Sequence, residues 1–332
     1  MFDGFQLERV DVGEVTLRVR YGGTGEPVVL LHGHPRTHTT WHRVASRLAQ
    51  TFFVVCPDLR GYGQSTLPPD APGHAQSSKR AMAGDVAVLM RHLGRDRFSV
   101  VGHDRGALVA SRAAMDYRAA VERLVVMDSL PVTEHLERLN EAFVRTWWHW
   151  WFLGQTEKPA EAFISADPGR WYRTPPSAQM GAGNHADVWA AFRDPAVVHG
   201  MREDCRAGLR VDRAHEEATG PRAGRSHARY CCSSQPTTTS TSTATPRASG
   251  GPGRSVTCAA ASSIPGTTRP KKRQKRSLRH FCSSSGRKVS AGPWLALAAA
   301  GPRPPGRAAG EGRGESVSST GRGVAGVRSQ VR

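Results

Sequence analysis

The residues of this chain best suited to chemistry form a Gly-x-Asp-x-Gly pattern from Gly102 to Gly106. An apolar run precedes the pattern and a helical stretch follows it, which is the layout of a nucleophile elbow. The two glycines permit a sharp turn that raises the central side chain above the edge of a sheet. That side chain is Asp104, and a carboxylate can displace a leaving group from saturated carbon, giving an ester that water later cleaves. The pattern predicts hydrolysis through an ester of Asp104; an ordinary aspartate at a helix start is the alternative.

Short apolar runs and helical stretches alternate on both sides of this elbow. The runs typical of strands buried on both faces are 27–31, 52–56, 98–101 and 124–127. The stretches with helical spacing are 41–50, 79–93 and 107–117. Residues 14–21 alternate between apolar and polar, as in an outer antiparallel strand. This order predicts an α/β fold with a mostly parallel sheet and active groups at the carboxyl ends of its strands.

Composition divides the chain into three segments. Residues 1–130 hold the alternating pattern and are expected to form the core. Residues 131–215 have a helical pattern and four clustered tryptophans, which predicts a helical cap over the sheet edge. Residues 216–332 have no periodicity and are rich in Ser, Thr, Pro, Gly, Ala and Arg. Such a composition cannot bury an apolar face, so we expect a disordered basic tail in place of the last part of the core.

The charge and the cysteines limit the partners. Of the 46 Lys and Arg residues, 20 lie in 221–332 beside only two acidic residues, so the net charge of +18 belongs to this segment. Its run 270–276 fits a nucleic-acid patch or a solvated charge run, and we do not expect nucleic acid as partner. The six cysteines lack zinc-site spacing, which predicts neither a metal nor another cofactor. With no signal or membrane segment in the sequence, we expect a cytoplasmic protein, monomeric or homodimeric, that acts on a small molecule.

Eight stretches, taken in order and spacing, carry a resemblance to a known family. They are 32–38, 41–45, 58–65, 79–83, 102–107, 127–131, 149–153 and 203–208. With them, residues 1–215 resemble the α/β-hydrolase superfamily, and within it the haloacetate (fluoroacetate) dehalogenase branch. The resemblance implies an α/β-hydrolase fold with a helical cap and cleavage of carbon–halogen bonds in small haloacids.

The resemblance also implies a role for six residues. Asp104 would be the nucleophile and Asp128 the acid that orients a catalytic histidine, unless Asp128 only caps a loop. Arg105 would grip the substrate carboxylate with two parallel hydrogen bonds. His149 and Trp150 would donate N–H groups to the departing halide, and backbone N–H groups near His34 and Arg105 would form the oxyanion hole.

This chain departs from the dehalogenase pattern at two binding positions. Leu108 stands where the dehalogenases carry a second carboxylate-binding arginine. Cys205 stands where they carry a tyrosine that binds the halide. The loss of one guanidinium and one hydroxyl predicts a substrate that is larger or less charged than a small haloacid.

The catalytic histidine of the family has no counterpart in residues 221–332, where His227 and His280 lack its Gly-His context and the acidic run that follows it. We interpret this segment as the right DNA read in the wrong frame. New codons built from the third base of one codon and the first two of the next can turn 229–232 into Val-Leu-Leu. In the same frame, 265–278 can encode Gly-His-His-Gln-Ala-Glu-Glu-Ala-Pro-Glu-Glu-Val-Ala. The chain would then lack its general base, and an ester on Asp104 would persist.

Two other functions remain open at this point. An epoxide hydrolase shares the aspartyl elbow, but it would use a pair of cap tyrosines, and Tyr172 is the one tyrosine in 131–215. A protein of a different class, a non-catalytic binding module with a basic tail, would show salt-sensitive binding to nucleic acid.

Overall fold

The computed structural model describes residues 1–219, apart from 159 and 174, and the backbone of 229–233. Within these residues seven strands form one sheet. The strands are β1 Gln6–Asp11, β2 Thr16–Gly22, β3 Glu26–Leu31, β4 Phe52–Pro57, β5 Phe98–His103, β6 Val121–Met127 and β7 Arg229–Ser233. The basic run 270–276, His227 and His280 lie outside the described residues.

The sheet has the spatial order β1-β2-β4-β3-β5-β6-β7. The first two pairings, β1 with β2 and β2 with β4, are antiparallel, and all the others are parallel. This confirms the expected α/β fold with a mostly parallel sheet. The central strands are continuous apolar runs because both of their faces are covered. On β5, for example, Val100 and Val101 are both fully buried but belong to different core clusters.

Helices cover both faces of the sheet. Those of the first segment are α1 His42–Leu48, α2 Lys79–His92 and α3 Arg105–Asp116, with 3-10 helices at His38–Trp41 and Pro72–Ser77. The boundaries follow local chemistry: α2 begins after Ser78, whose side chain accepts a hydrogen bond from the Ala81 N–H. Its buried stripe includes Met82, Val86 and Leu89, as the spacing predicts.

Most of the segment predicted as a cap is helical. Its helices are α4 Val132–Glu137, α5 Glu141–Leu153, α6 Ala160–Ala166, α7 Pro168–Tyr172, α8 Ser177–Met180, α9 Ala182–Arg193 and α10 Pro195–Leu209, followed by α11 Val211–Thr219. The predicted boundary at residue 215 falls inside α11. The Glu216 carboxylate at the end of α11 accepts hydrogen bonds from the Val132 and Thr133 N–H groups, so α11 closes back onto the start of α4.

The strand β7 lies inside the segment for which composition predicts no regular structure. It pairs in parallel with β6, from Arg123 opposite Arg229 to Met127 opposite Ser233. The same residues are those that the alternative reading frame can turn into an apolar strand. In the part of the chain that the structure describes, we find no helix with the length and apolar character needed to cross a bilayer.

The turn between β5 and α3 is the tightest junction of the fold. Asp104 adopts φ 51° and ψ −116°, a conformation that L-residues rarely hold without support. A Cβ on Gly106 would lie 2.3 Å from the Leu31 carbonyl oxygen, and one on Gly102 would lie 2.2 Å from the Gly106 oxygen. The predicted elbow is therefore confirmed as a backbone geometry, and its glycines are required by close packing.

Replacing Gly106 by Ala should destabilise the protein by about 3 kcal/mol, because the new methyl group meets backbone atoms that cannot rotate away. Gly84→Ala is the matched control, since its Cβ would lie 3.4 Å from the Tyr117 hydroxyl and the residue is inside α2. The control should be neutral or stabilising by up to about 1 kcal/mol. Urea unfolding of both variants measures this, and equal stability of the two would contradict the packing argument.

Candidate active site

The Asp104 carboxylate is held by a backbone donor from the neighbouring strand end. Its Oδ1 accepts a hydrogen bond of 2.8 Å from the His34 N–H. The approach depends on Gly33, because a Cβ there would lie 2.7 Å from the same oxygen. If the other oxygen, Oδ2, is alkylated, Oδ1 becomes the ester carbonyl oxygen and already faces an N–H donor at the distance suited to an oxyanion. The structure thus brings together two of the predicted residues, Asp104 and His34.

Arg105 lies directly behind the nucleophile and is 8% exposed. Its Nη2 donates to the Cys205 Sγ at 3.2 Å, and its guanidinium lies 5.1 Å from the centre of the Trp150 ring. Its Nη1 has no hydrogen-bond partner among the described residues. Burial lowers the pKa of Arg105, but Cys205 and the acidic groups around it outweigh this and raise it. A charged group with a spare buried donor is suited to an anionic ligand.

The two predicted halide-binding residues lie on α5, close to Arg105. Trp150 is buried, and its indole N–H has no acceptor among the described residues. His149 is half-buried, and its pKa is lowered by burial and by Arg105, against an opposing effect of Asp104. The N–H groups of these rings are the kind of donors that a departing halide needs. By contrast, the neighbouring Trp148 is half exposed and packs on Trp171.

Asp128 follows β6 with φ 54°, and its side chain is 57% exposed. Its recorded partner is His103, whose Nε2 lies 3.8 Å from Oδ2. The interaction with His103 lowers the pKa of Asp128, against a smaller opposing effect of burial. Burial alone would lower the pKa of His103, but Asp128 and Asp104 outweigh it and raise it. The role of Asp128 in orienting a catalytic histidine stays a prediction, since the imidazole beside it here belongs to His103.

The two departures from the dehalogenase pattern are both buried. Leu108 lines a crevice with Lys79, Pro131 and Asp212 and brings no charge to the site. Cys205 is fully buried, and its thiol accepts the hydrogen bond from Arg105. The halide-binding hydroxyl is therefore replaced by a sulfur atom that already has a cationic partner.

Arg202 is a site residue that the sequence analysis missed. It is 0% exposed, lies one helical turn before Cys205 on α10, and places Nη2 3.2 Å from the His34 Nε2. Its Nη1 donates to the Tyr172 hydroxyl at 3.3 Å. Burial has the largest effect on the pKa of His34 and the charge of Arg202 the second largest. Together they hold it well below its usual value, so this imidazole is neutral. The one sequence signal that could have placed Arg202 in the site is its position one helical turn before Cys205.

Comparison with known proteins places this arrangement in a family. The family model described as the alpha/beta hydrolase fold matches residues 26–178. The chain is 43% identical over 222 residues to the fluoroacetate dehalogenase of Burkholderia sp, covering 64% of this chain and 72% of that protein. It is also 46% identical over 109 residues to the soluble epoxide hydrolase of Corynebacterium sp. (strain C12). That match covers 33% of this chain and 36% of the epoxide hydrolase.

A solved structure from Nostoc sp PCC 7120, assigned to the α/β hydrolases, superposes with a TM-score of 0.66 and 34% identity. The match covers 71% of this chain and 92% of that one. This chain belongs to the α/β-hydrolase family. The expected family and fold are thereby confirmed.

In this α/β hydrolase, a buried aspartate from the loop after β4 organises the loop that carries His34. Asp58 is fully buried, and its Oδ1 lies 2.7 Å from both the backbone N–H and the Nδ1 of His38. Burial alone would raise the pKa of Asp58, but His38 outweighs this effect and lowers it to about 2. The Leu59 N–H next to Asp58 donates to the His32 Nε2 at 3.1 Å. These bonds fix both ends of the segment 32–38 and so fix the donor that faces Asp104.

Replacing Asp58 by Asn should reduce the free energy of unfolding at neutral pH by about 2 kcal/mol, the worth of a pKa lowered from 3.8 to about 2. Because the folded-state pKa is the lower one, this stability is present above about pH 4 and is lost as the pH falls towards 2. The difference between wild type and variant should therefore shrink over that interval in urea titrations. The fully exposed Asp3→Asn is the control, and a pH-independent difference would contradict the pairing.

Proposed function

We propose that this α/β hydrolase cleaves the carbon–halogen bond of small haloacids through an ester of Asp104. The observation that carries the proposal is the Asp104 carboxylate on a strained elbow, with Oδ1 held by the His34 N–H. Two features support the substrate class. Arg105 offers a spare buried N–H to a carboxylate, and the Burkholderia relative acts on fluoroacetate by its name.

In the first step, Asp104 Oδ2 attacks the carbon that bears the halogen. A carbon–oxygen bond forms, the carbon–halogen bond breaks, and the halide leaves with the bonding electron pair. Arg105 holds the substrate carboxylate so that the carbon faces Oδ2. The indole N–H of Trp150 and an N–H of His149 stabilise the charge that develops on the halide. No proton moves in this step, so it needs no general base.

In the second step, water must add to the carbonyl carbon of the Asp104 ester. Oδ1 takes the negative charge, facing the His34 N–H, and a base must take the proton of the water. Among the described residues the one imidazole recorded beside Asp128 is that of His103, and the acidic groups around it raise its pKa. These acidic groups favour the protonated form of the imidazole, which has no free nitrogen to accept this proton. We therefore propose that this chain completes the first step and accumulates the ester.

Incubation of the full chain with fluoroacetate, which reacts poorly with free thiols, should release about one equivalent of fluoride per chain and then stop. Intact mass should increase by one carboxymethyl group, and peptide mapping should locate it on Asp104. Asp104→Asn, which keeps the size of the side chain but removes the nucleophile, should release no fluoride and gain no mass.

Continuous fluoride release over many turnovers would show that a base is present and overturn the second half of the proposal. A burst that survives Asp104→Asn would overturn the first half. If no fluoride is released, the second candidate function, described next, is favoured.

That second candidate is epoxide hydrolysis, and the position of Tyr172 favours it. The Tyr172 hydroxyl hydrogen-bonds Arg202, and its ring lies 5.8 Å from that of His34, so it faces the pocket and could protonate an epoxide oxygen. The other tyrosine nearby, Tyr62, donates its hydroxyl to Asp204 at 2.5 Å and is engaged there. Ester formation from styrene oxide that is lost in Tyr172→Phe would support this function.

A further inference from the structure

The strongest unexplained feature of the site is the guanidinium of Arg202. It is completely buried, yet no carboxylate pairs with it among the described residues. Its recorded partners are the neutral imidazole of His34 and the phenol of Tyr172, and its Nε has no partner in the described part of the chain. An arginine keeps its charge inside proteins, so an uncompensated one is costly to bury.

The acidic residues nearest to Arg202 in sequence are committed elsewhere. Glu203 accepts hydrogen bonds from Gln76 and Arg206. Asp204 forms an ion pair with Lys79 and accepts from the Tyr62 hydroxyl. These charges of α10 are therefore paired, mostly with residues of other elements, and Arg202 is left without a carboxylate among the described residues.

Arg202 and Arg105 contact different residues of the site. Arg105 contacts Cys205 and the Trp150 ring, whereas Arg202 contacts His34 and Tyr172. Both guanidiniums lower the pKa of His34 and of His149, so both act on the same pocket. Asp104 and Asp204 both interact with Arg105, but Asp204 is paired with Lys79, so the two guanidiniums face one uncommitted carboxylate in this part of the described structure. A second anionic group on the substrate would balance the remaining positive charge.

We propose that Arg202 is a second anion-binding residue of the active site and that it selects dicarboxylates with a halogen on the carbon next to one carboxylate, such as 2-chlorosuccinate. This deepens the proposed function and rests on it for the reaction; the substrate is larger than a haloacetate, as Leu108 leads us to expect, but it is more charged rather than less. Arg105 holds the carboxylate next to the reacting carbon, and Arg202 holds the distal one. Dehalogenases of the family carry their second arginine where this chain has Leu108, on α3, so a guanidinium on α10 is directed at a different part of the substrate.

The binding test uses unreactive ligands and therefore does not depend on catalysis. Calorimetry should show that the full chain binds succinate, and that Arg202→Met weakens succinate binding about 30-fold or more because one charge-assisted contact is removed. Acetate binding should be unchanged in Arg202→Met and lost in Arg105→Met. Equal succinate affinity in wild type and Arg202→Met would overturn the proposal.

The matched control is Arg206→Met, one turn further along α10, because Arg206 pairs with Glu161 and Glu203 outside the site. This control should lower stability and leave succinate binding unchanged. Arg202→Met should leave stability unchanged or raise it, since it removes an unpaired buried charge. If Arg202→Met destabilises the protein as much as the control does, Arg202 has a structural role and the proposal fails.

The reaction test separates this proposal from the proposed function. In single-turnover chloride release measured well below saturation, the preference for 2-chlorosuccinate over chloroacetate should fall about 30-fold in Arg202→Met. Wild type that releases no chloride but binds succinate through Arg202 would sink the dehalogenase function and keep the anion site. If both substrates release chloride at rates that Arg202→Met does not change, the dehalogenase function stands and the anion site at Arg202 is ruled out.

Discussion

The contact on which the site depends is the approach of the α3 backbone to the carbonyl oxygens that end β3. Gly106 passes so close to the Leu31 and His32 oxygens that no side chain fits between them. Because α3 is pressed against the strand end, the residue two positions earlier is forced into a conformation with positive φ. The strained backbone of Asp104 thus comes from packing of the core. This packing brings the Asp104 carboxylate to the N–H of His34, on the loop after β3, without help from the cap.

Helix α10 connects this core geometry to the chemistry of the pocket. Its Asp204 is tied to Lys79 at the start of α2 and to the Tyr62 hydroxyl, which anchors the helix over the carboxyl ends of the strands. The same anchoring turns Arg202 and Cys205 towards Arg105 and His34. Buried contacts of Asp204 and Glu203 thus hold α10 in the position that brings Arg202 and Cys205 to the site. Changes on α10 alter ligand preference without disturbing the elbow, because the elbow is held by backbone contacts.

The sequence predicted the sheet and the elbow because these follow from local signals, whereas the roles of the site residues came from the resemblance and stay predictions. Continuous apolar runs mark β3 and β5, and the glycine spacing around Asp104 marks the turn. It did not predict Arg202, because an arginine in a helix normally faces solvent and its burial depends on contacts with distant residues. It also did not predict the pairing of Asp128 with His103, since a strand pattern says nothing about which neighbouring ring occupies the space beside an exposed carboxylate. The edge strand β1 was missed as well, because its burial pattern is largely exposed.

The two halves of aspartyl hydrolysis place different demands on a protein, and this chain meets them unequally. In the proposed reaction, displacement of a halide needs a placed carboxylate and donors for two anions, which the elbow, Arg105 and Trp150 would supply from elements between β5 and α5. Cleavage of the ester needs in addition a neutral base, which in this family comes from a segment far down the chain. His103 is the imidazole recorded beside Asp128 in the described part of the chain, and the carboxylates around it favour its protonated form. In the proposed function, alkylation of Asp104 is therefore separable from turnover.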